Sequence, residues 1–280
     1  MQDHNYLVER LITLLENIFV INSVIILLGA LFQIDLLRSY PGEGGFRFGY
    51  IGFIPAVNEA TLFYLIAICL SYYRRYILGI SSKKFYIIIA ASLLLGTKAI
   101  YLIIISLLLL HFLRTSSFKI KVMVLSTIII TVIAVKTYLS TEDAQIRFEY
   151  FYQIANKRGL LTMLLSGRDL LLQEHFYANI DHWGIMNFIV GGQDQLRYLV
   201  EMDFVDLFLL FGALGSIIYI SLFFSSLFTF KKNRYFNLYF ILIYFFIAGL
   251  GGHFFASALN ALYLAIFCIY IKATQRVNTT

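Results

Sequence analysis

Residues 204–230, FVDLFLLFGALGSIIYISLFFSSLFTF, form one apolar run in which Asp206 is the only charged residue. A helix needs about 20 such residues to cross the hydrocarbon core of a bilayer. Similar runs recur at 11–34, 54–73, 85–113, 122–139, 235–250 and 257–271. The sequence predicts an all-α integral membrane protein and not a β-barrel, because barrel strands are short and alternate apolar with polar residues.

Composition and charge agree with a membrane protein. The 280 residues are 60% hydrophobic and 14% charged, against about 25% charged in soluble domains. The net charge of +6 is concentrated in four short segments at 74–84, 114–121, 231–234 and 272–276. This placement follows the positive-inside rule for cytoplasmic segments and argues against nucleic-acid binding.

The run at 85–113 is too long for one crossing, and a single crossing would separate two basic segments. A hairpin that turns near Gly96-Thr97-Lys98 keeps both in the cytoplasm. We therefore expect about eight transmembrane helices in a single polytopic domain, 1–280, with both termini cytoplasmic. The first ten residues, MQDHNYLVER, are polar and precede a run of span length, so we expect no cleavable signal peptide.

Two loops, 35–53 and 140–203, then face the outside. The larger one has five basic and nine acidic residues, a net charge of −4. Long loops with converging charges often carry function. Its segment 160–172 has the pattern of an amphipathic helix interrupted at Ser166-Gly167, which suits a helix lying on the membrane face.

Several cations in or near these loops are candidates for binding an anion. Arginine presents a planar donor fork that matches phosphate oxygens. Lys98, at the tip of the hairpin, is either a site residue or a side chain that snorkels to the surface. Arg38 and Arg47 have lipid headgroups as alternative partners. The cations of these two loops and the hairpin tip that stand out are Arg38, Arg47, Lys98, Arg147, Lys157, Arg158 and Arg168.

Carboxylates cluster where the large loop ends. The N-terminal dipole of the next helix explains Glu201 and Asp203 adequately. It explains Asp206 less well, since an apolar run follows, so Asp206 is expected to face a cavity or a cation, where it could act as a general base. His253 is a second external titrating group or a helix cap. Asn58 and Glu59 are interpreted as an N-cap and a favourable dipole partner for the second span.

The remaining candidates have two interpretations each. Trp183 and Tyr177 either stack on sugar rings or anchor the loop at the interface. His175 and His182 are seven residues apart, which is weak evidence for a metal site. Glu16 and Asn17 are expected to bond between helices. Cys69 and Cys268 lie in apolar runs and are expected to be buried hydrophobic residues.

Five segments in this order resemble the O-antigen polymerase (Wzy) and O-antigen ligase superfamily. They are RFGYIGFIPAVNEA at 47–60, LLLGTKAIYL at 93–102, LLSGRD at 164–169, VEMDFVDLFLLFGALG at 200–215 and AGLGGHFFASALNALYLAIF at 248–267. The resemblance implies a GT-C-like glycosyltransferase of the bacterial inner membrane. Such enzymes transfer glycan from an undecaprenyl-diphosphate carrier to a hydroxyl at the periplasmic face, without a nucleotide sugar and generally without a metal or other cofactor.

The resemblance also implies roles for individual residues. Arg47 and Arg168 match arginines expected to bind the diphosphate, with Arg147 and Lys98 as further substrate-binding candidates. Glu201, Asp203 and His253 are the candidates for catalysis. Ligases carry a His-Asn pair where this chain has Glu201-Met202-Asp203, and this departure favours a polymerase. The implied partners are the lipid-linked oligosaccharide, membrane lipids and a chain-length regulator.

Three alternatives remain. An O-antigen ligase would transfer glycan to the lipid A core. A lipid-linked oligosaccharide flippase or transporter would need polar residues along its spans, which are nearly free of charge here. An assembly subunit without chemistry of its own is the third. Family members also generally have more spans than the eight counted here, which is the main departure from the family pattern.

Overall fold

The computed structural model describes residues 2–41, 47–114, 118–119, 122, 125–126, 129, 133, 137, 140, 142–192, 199–228, 230, 233–252 and 254–277. Within these residues regular structure is helical throughout, with a single isolated β-bridge between Arg38 and Tyr50. The main described helices are α1 Gln2–Leu31, α2 Val57–Tyr72, α3 Lys84–Leu93, α4 Lys98–Arg114, α5 Glu142–Arg158, α6 Leu160–Leu165, α7 Arg168–Leu171, α8 Ile185–Val190, α9 Asp203–Leu227, α10 Arg234–Leu250 and α11 Ala258–Val277. Short helical turns also occur at Asp35–Leu37, Tyr73–Ile77, Leu172–Tyr177 and Ala178–Ile180.

Three segments of these helices are long and apolar enough to cross a membrane: Tyr6–Leu31, Asp203–Leu227 and Ala258–Gln275. Two shorter apolar helices, Lys84–Leu93 and Arg234–Leu250, accompany them. The all-helical fold is therefore confirmed for the described residues, and three of its helices could span a membrane. The predicted count of eight crossings stays a prediction, and most of the run at 122–139 lies outside the described residues.

The predicted break in the run at 85–113 is confirmed. Helix α3 ends at Leu93 and α4 begins at Lys98. Between them Gly96 has a φ of 71°, a left-handed conformation that glycine adopts without a steric penalty. The helix is thus interrupted where the sequence predicted a turn.

Helix α2 is the centre of the bundle. Its residues from Ala60 to Tyr72 are buried without interruption, which suits a helix that is apolar on every side. It contacts α1, α3, α4 and α11. Cys69, on this helix, and Cys268, on α11, are both buried free cysteines, as predicted.

A network of charges holds the end of the bundle where α2 finishes. Arg74 Nε lies 3.2 Å from Glu16 Oε1, and Lys84 Nζ lies 3.6 Å from Glu16 Oε2. Lys84 also donates a 2.9 Å hydrogen bond to Asn17. The predicted interhelical roles of Glu16 and Asn17 are confirmed, and α1 is joined to α2 and α3 by charge as well as by packing.

Candidate functional site

The first loop is fixed by polar contacts on both of its sides. Asn22 of α1 accepts a 2.9 Å hydrogen bond from Phe53 N and donates to Ile51 O. Tyr50 N donates a 2.8 Å hydrogen bond to Leu94 O in the α3–α4 turn. Ser39 Oγ donates to Leu95 O in the same turn. These bonds set the loop directly against the hairpin tip.

Two glycines permit this close approach. A Cβ on Gly49 would lie 2.2 Å from Leu95 O, and a Cβ on Gly96 would lie 1.7 Å from Phe48 O. Real Cβ atoms do not come so near to backbone oxygens, so both positions require glycine. Arg47 is adjacent to this contact, and its guanidinium lies 3.7 Å from the centroid of the Tyr40 ring, in cation–π geometry.

Lys98 joins the hairpin tip to the large loop. Its Nζ donates to Met163 O, to Leu164 O at 3.2 Å and to Ser166 Oγ at 3.2 Å. These groups form the C-terminal end of α6, where a cation is favoured by the helix dipole. The structure pairs Lys98 with the large loop, and its two interpretations, as a site residue or a snorkelling side chain, stay predictions.

The chain reverses direction after α6, at the predicted interruption. Ser166 and Gly167 have φ values of 58° and 87°, both left-handed, and α7 then begins at Arg168. This turn presents Arg168 to two other parts of the chain. Its Nη2 donates to Asn58 Oδ1 at 3.3 Å and lies 3.5 Å from Glu201 Oε2.

Electrostatics connect the three cations. Partial burial lowers the pKa of Lys98, and the positive charges of Arg47 and Arg168 lower it further. Lys98 lies at the hairpin turn, outside the three candidate spans. We call Arg47, Lys98, Arg168, Glu201 and Asn58 the basic site. Three cations whose charges interact, one of them 3.5 Å from a carboxylate, can attract an anion with several oxygens.

Glu201 has an unusual backbone conformation, with a φ of 59°. Non-glycine residues adopt this region rarely, and such strain tends to cluster at functional positions. The α10–α11 turn packs against it so tightly that a Cβ on Gly252 would lie 2.8 Å from Glu201 Cα. Its side chain is 42% exposed, so the carboxylate is accessible while the backbone is held.

Asp203 and Asp206 are buried and bind backbone amides. Asp203 Oδ2 accepts from Phe254 N at 2.8 Å and from Phe255 N at 3.2 Å. Asp206 accepts from Val200 N at 2.8 Å and Met202 N at 3.1 Å. Backbone donors, which the sequence argument did not consider, account for the burial of Asp206. Glu201 lies 3.5 Å from the Arg168 guanidinium, and its side chain is accessible to solvent.

Other predicted residues stand as follows. Asn58 is not an N-cap, because α2 begins at Val57 and its N-cap is Ala56; the Asn58 amide instead accepts from Arg168. Glu59 lies in the first turn of α2, as expected for a dipole partner, and accepts from Ser257 Oγ. Arg147 lies on α5, but its side chain, like all of His253, lies outside the described residues.

The aromatic candidates pack with other rings. The Trp183 ring centroid lies 5.4 Å from that of Phe188 and 5.7 Å from that of Phe208 on α9. Tyr177 is exposed and meets Phe176 edge-on at 5.5 Å. Both interpretations of Trp183 and Tyr177, sugar stacking and anchoring at the interface, stay predictions. Within the described part of the chain no group of three or more His, Cys, Asp or Glu is arranged to hold a metal.

Sequence reasoning selected Arg47, Lys98, Arg168 and Glu201 separately and did not foresee their bonding partners. The sequence argument considered Ser166 only as a turn residue and Asn58 only as a helix cap. Both lie in segments quoted for the resemblance, at 164–169 and 47–60, and this was the one signal that set them near the site. Searches against protein-family models, curated proteins and solved structures found no match to this chain.

Proposed function

We propose that this protein is a bacterial inner-membrane glycosyltransferase. In this proposal it polymerises undecaprenyl-diphosphate-linked oligosaccharide repeat units at the periplasmic face. The single observation that carries the proposal is the contact of Arg168 with the accessible carboxylate of Glu201, with Lys98 near enough to Arg47 and Arg168 to interact with their charges. The sequence resemblance supplies the chemical identity of the anion.

The chemistry requires two things that the basic site offers. The bond between the anomeric carbon and the carrier diphosphate breaks, and a new bond forms to an acceptor hydroxyl. The diphosphate leaves with both bonding electrons, and cations stabilise that charge. The hydroxyl proton moves to a carboxylate, for which Glu201 is the best candidate.

The contact between Arg168 and Glu201 suits an exchange of partners. At 3.5 Å the ion pair is long, and the Arg168 side chain retains 17% exposure. Its Nε atom is buried and has no hydrogen-bond partner among the described residues. A bound diphosphate would occupy the guanidinium and release the Glu201 carboxylate to accept a proton.

The membrane topology proposed is eight crossings with both termini in the cytoplasm. Support comes from the distance between two polar clusters. They lie at opposite ends of the stretch formed by α2 and the π-helical turn Tyr73–Ile77 that follows it. Asn58 belongs to the basic site, and Arg74, sixteen residues later, belongs to the charge network with Glu16. At 1.5 Å per residue they lie about 24 Å apart, close to the thickness of a bilayer core.

The test is the length distribution of surface polysaccharide in a strain that lacks the gene. It is complemented with wild type, Arg47→Ala, Arg168→Ala or Glu201→Gln. Arg38→Ala is the matched control, because Arg38 is a second arginine of the same loop whose visible partner is the exposed Asp35. We expect a full ladder from wild type and Arg38→Ala, and single repeat units on the lipid core from the other three.

Other gel patterns would contradict the proposal. Bare core in the deletion strain, with polymer retained on its lipid carrier, would indicate a ligase. Repeat units trapped at the cytoplasmic face would indicate a flippase. An unchanged ladder in the deletion strain would exclude the polymerase role altogether.

A further inference from the structure

Helix α8, within the large loop, exposes an unusual amount of apolar surface. The segment 183–192, WGIMNFIVGG, contains no charged residue. Ile185, Met186 and Val190 are 80%, 69% and 56% exposed. A soluble loop rarely leaves such a contiguous apolar patch in water.

The one polar side chain of α8 turns back on its own helix. Asn187 Oδ1 accepts a 3.2 Å hydrogen bond from Gly184 N, and Asn187 Nδ2 donates a 3.2 Å hydrogen bond to Gly191 O. One backbone group at each end of the helix is thereby satisfied without water. Hydrocarbon imposes this requirement on any backbone that enters it, whereas a water-exposed helix end can use solvent.

Helix α8 also lies beside the interior of a candidate span. It packs on α9 where Gly212, with a φ of 64° and a ψ of −172°, interrupts the helical backbone. A Cβ on Gly212 would lie 2.4 Å from Ile189 O, and a Cβ on Gly191 would lie 2.3 Å from Leu210 O. The two backbones are therefore in direct contact through glycines.

The depth of this contact follows from the length of α9. Gly212 is nine residues beyond Asp203, the first residue of the candidate span. Nine residues correspond to about 14 Å along a helix, and the hydrocarbon core is about 30 Å thick. Apolar α9 residues on both sides of the kink, Phe211 and Leu214, are also exposed.

We infer that α8 is a re-entrant segment that enters the bilayer beside the α9 kink and contacts lipid acyl chains. The large loop is then not wholly aqueous, because its last third before α9 is anchored in hydrocarbon. This inference requires only that α9 spans a membrane. It is independent of the glycosyltransferase proposal.

The experiment uses the single native tryptophan of the chain. In a Trp183→Phe background of the full-length protein, one tryptophan is introduced by Ile185→Trp on α8. Ile217→Trp, at an exposed position of α9, is the control for a lipid-facing residue. Gln173→Trp, at an exposed polar position of the same loop, is the control for water. Each protein is purified into phosphatidylcholine vesicles whose acyl chains carry bromine.

We expect Ile185→Trp to lose as much fluorescence to the brominated lipid as Ile217→Trp, and to resist quenching by aqueous iodide. Gln173→Trp should show the opposite pattern. If Ile185→Trp instead behaves like Gln173→Trp, α8 faces water and the inference is overturned.

A second measurement tests the inference if the tryptophan variants fail to fold. Ile185→Cys and Gln173→Cys are treated with a water-soluble maleimide in intact membranes, where wild type gives the background of the buried Cys69 and Cys268. We expect labelling at 173 and none at 185, both in native membranes and in purified vesicles. Protection at 185 that disappears in purified vesicles would mean that a protein partner covers α8, and the inference would fail.

Discussion

Lys98 Nζ and Ser166 Oγ are 3.2 Å apart, and this hydrogen bond joins the hairpin tip to a loop 68 positions later in the chain. The same ammonium binds the carbonyl oxygens of Met163 and Leu164. Arg168 follows two residues after Ser166, so the position of the guanidinium depends on this anchor. Lys98 is therefore a positioning residue as well as a source of positive charge.

Polymerisation should depend on pH through Lys98. Partial burial and the nearby Arg47 and Arg168 lower its pKa, so the ammonium loses its proton at a lower pH than a free lysine does. Activity should fall on the alkaline side as the charge and the anchor are lost. Lys98→Arg stays charged at any working pH. The activity of this variant should therefore fall only at a higher pH than that of wild type. The measurement is repeat-unit polymerisation in vesicles across alkaline pH. Superimposable profiles for the two proteins would show that Lys98 does not titrate in this range.

Gly96→Ala should destabilise the protein through the contact with the first loop. The new Cβ would meet Phe48 O, and the left-handed φ adds a conformational cost of about 1–3 kcal/mol. Gly79→Ala is the matched control, because Gly79 has a similar φ of 74° with nothing within 4 Å. Thermal unfolding in detergent should show a clearly larger loss for Gly96→Ala. Equal losses would mean that the clash is relieved by movement of the loop.

We expect substitutions of Glu201 to affect the chemistry and substitutions of Asp203 to affect folding. Glu201→Gln is expected to fold normally and to abolish the ladder. Asp203→Ala should lower the amount of folded protein, because each orphaned amide of Phe254 and Phe255 costs about 1–3 kcal/mol. Asp203→Asn keeps an acceptor oxygen and should retain activity. Protein level and ladder are measured together, and a stable but inactive Asp203→Asn would instead make Asp203 the proton acceptor.

Arg74→Ala should destabilise the fold although Arg74 lies far from the basic site. It would remove a partner from Glu16, whose side chain is only 6% exposed. Breaking a buried ion pair typically costs about 3–5 kcal/mol, and Lys84 at 3.6 Å should keep the loss near the lower limit. The double variant Arg74→Gln with Glu16→Gln removes the buried carboxylate as well and should recover much of the stability, because the partners it leaves, Lys84 and Glu9, are 33% and 48% exposed and can be solvated. Denaturant titration in micelles measures both, and no recovery in the double variant would rule out the charge as the cause.

Local patterns in the sequence predicted the helices well. The run at 204–230 became α9, Asp203–Leu227, and the hairpin turns at Gly96 as expected. These features depend on apolar run length and on single glycines, which can be read without tertiary contacts. The interruption at Ser166-Gly167 was predictable for the same reason.

Bonding partners were not predictable in the same way. Asn58 was assigned as a cap from its place before an apolar run, yet its amide accepts from Arg168, 110 residues away. Asp206 was expected to face a cavity or a cation, and the sequence did not indicate that its oxygens accept hydrogen bonds from the amides of Val200 and Met202. Both outcomes depend on how loops fold back onto helix ends, and no periodicity in the sequence encodes that geometry.

The continuity of α2 with the turn that follows it has a consequence for insertions and deletions. Asn58 and Arg74 are carried by one uninterrupted helical stretch that is packed on all sides. Adding or removing one residue between them would rotate one end by about 100° relative to the other and shift it by about 1.5 Å. Either the contact with Arg168 or the contact with Glu16 would then be out of register. Across any lineage of this protein, the number of residues in this interval should therefore be more tightly constrained than their identity.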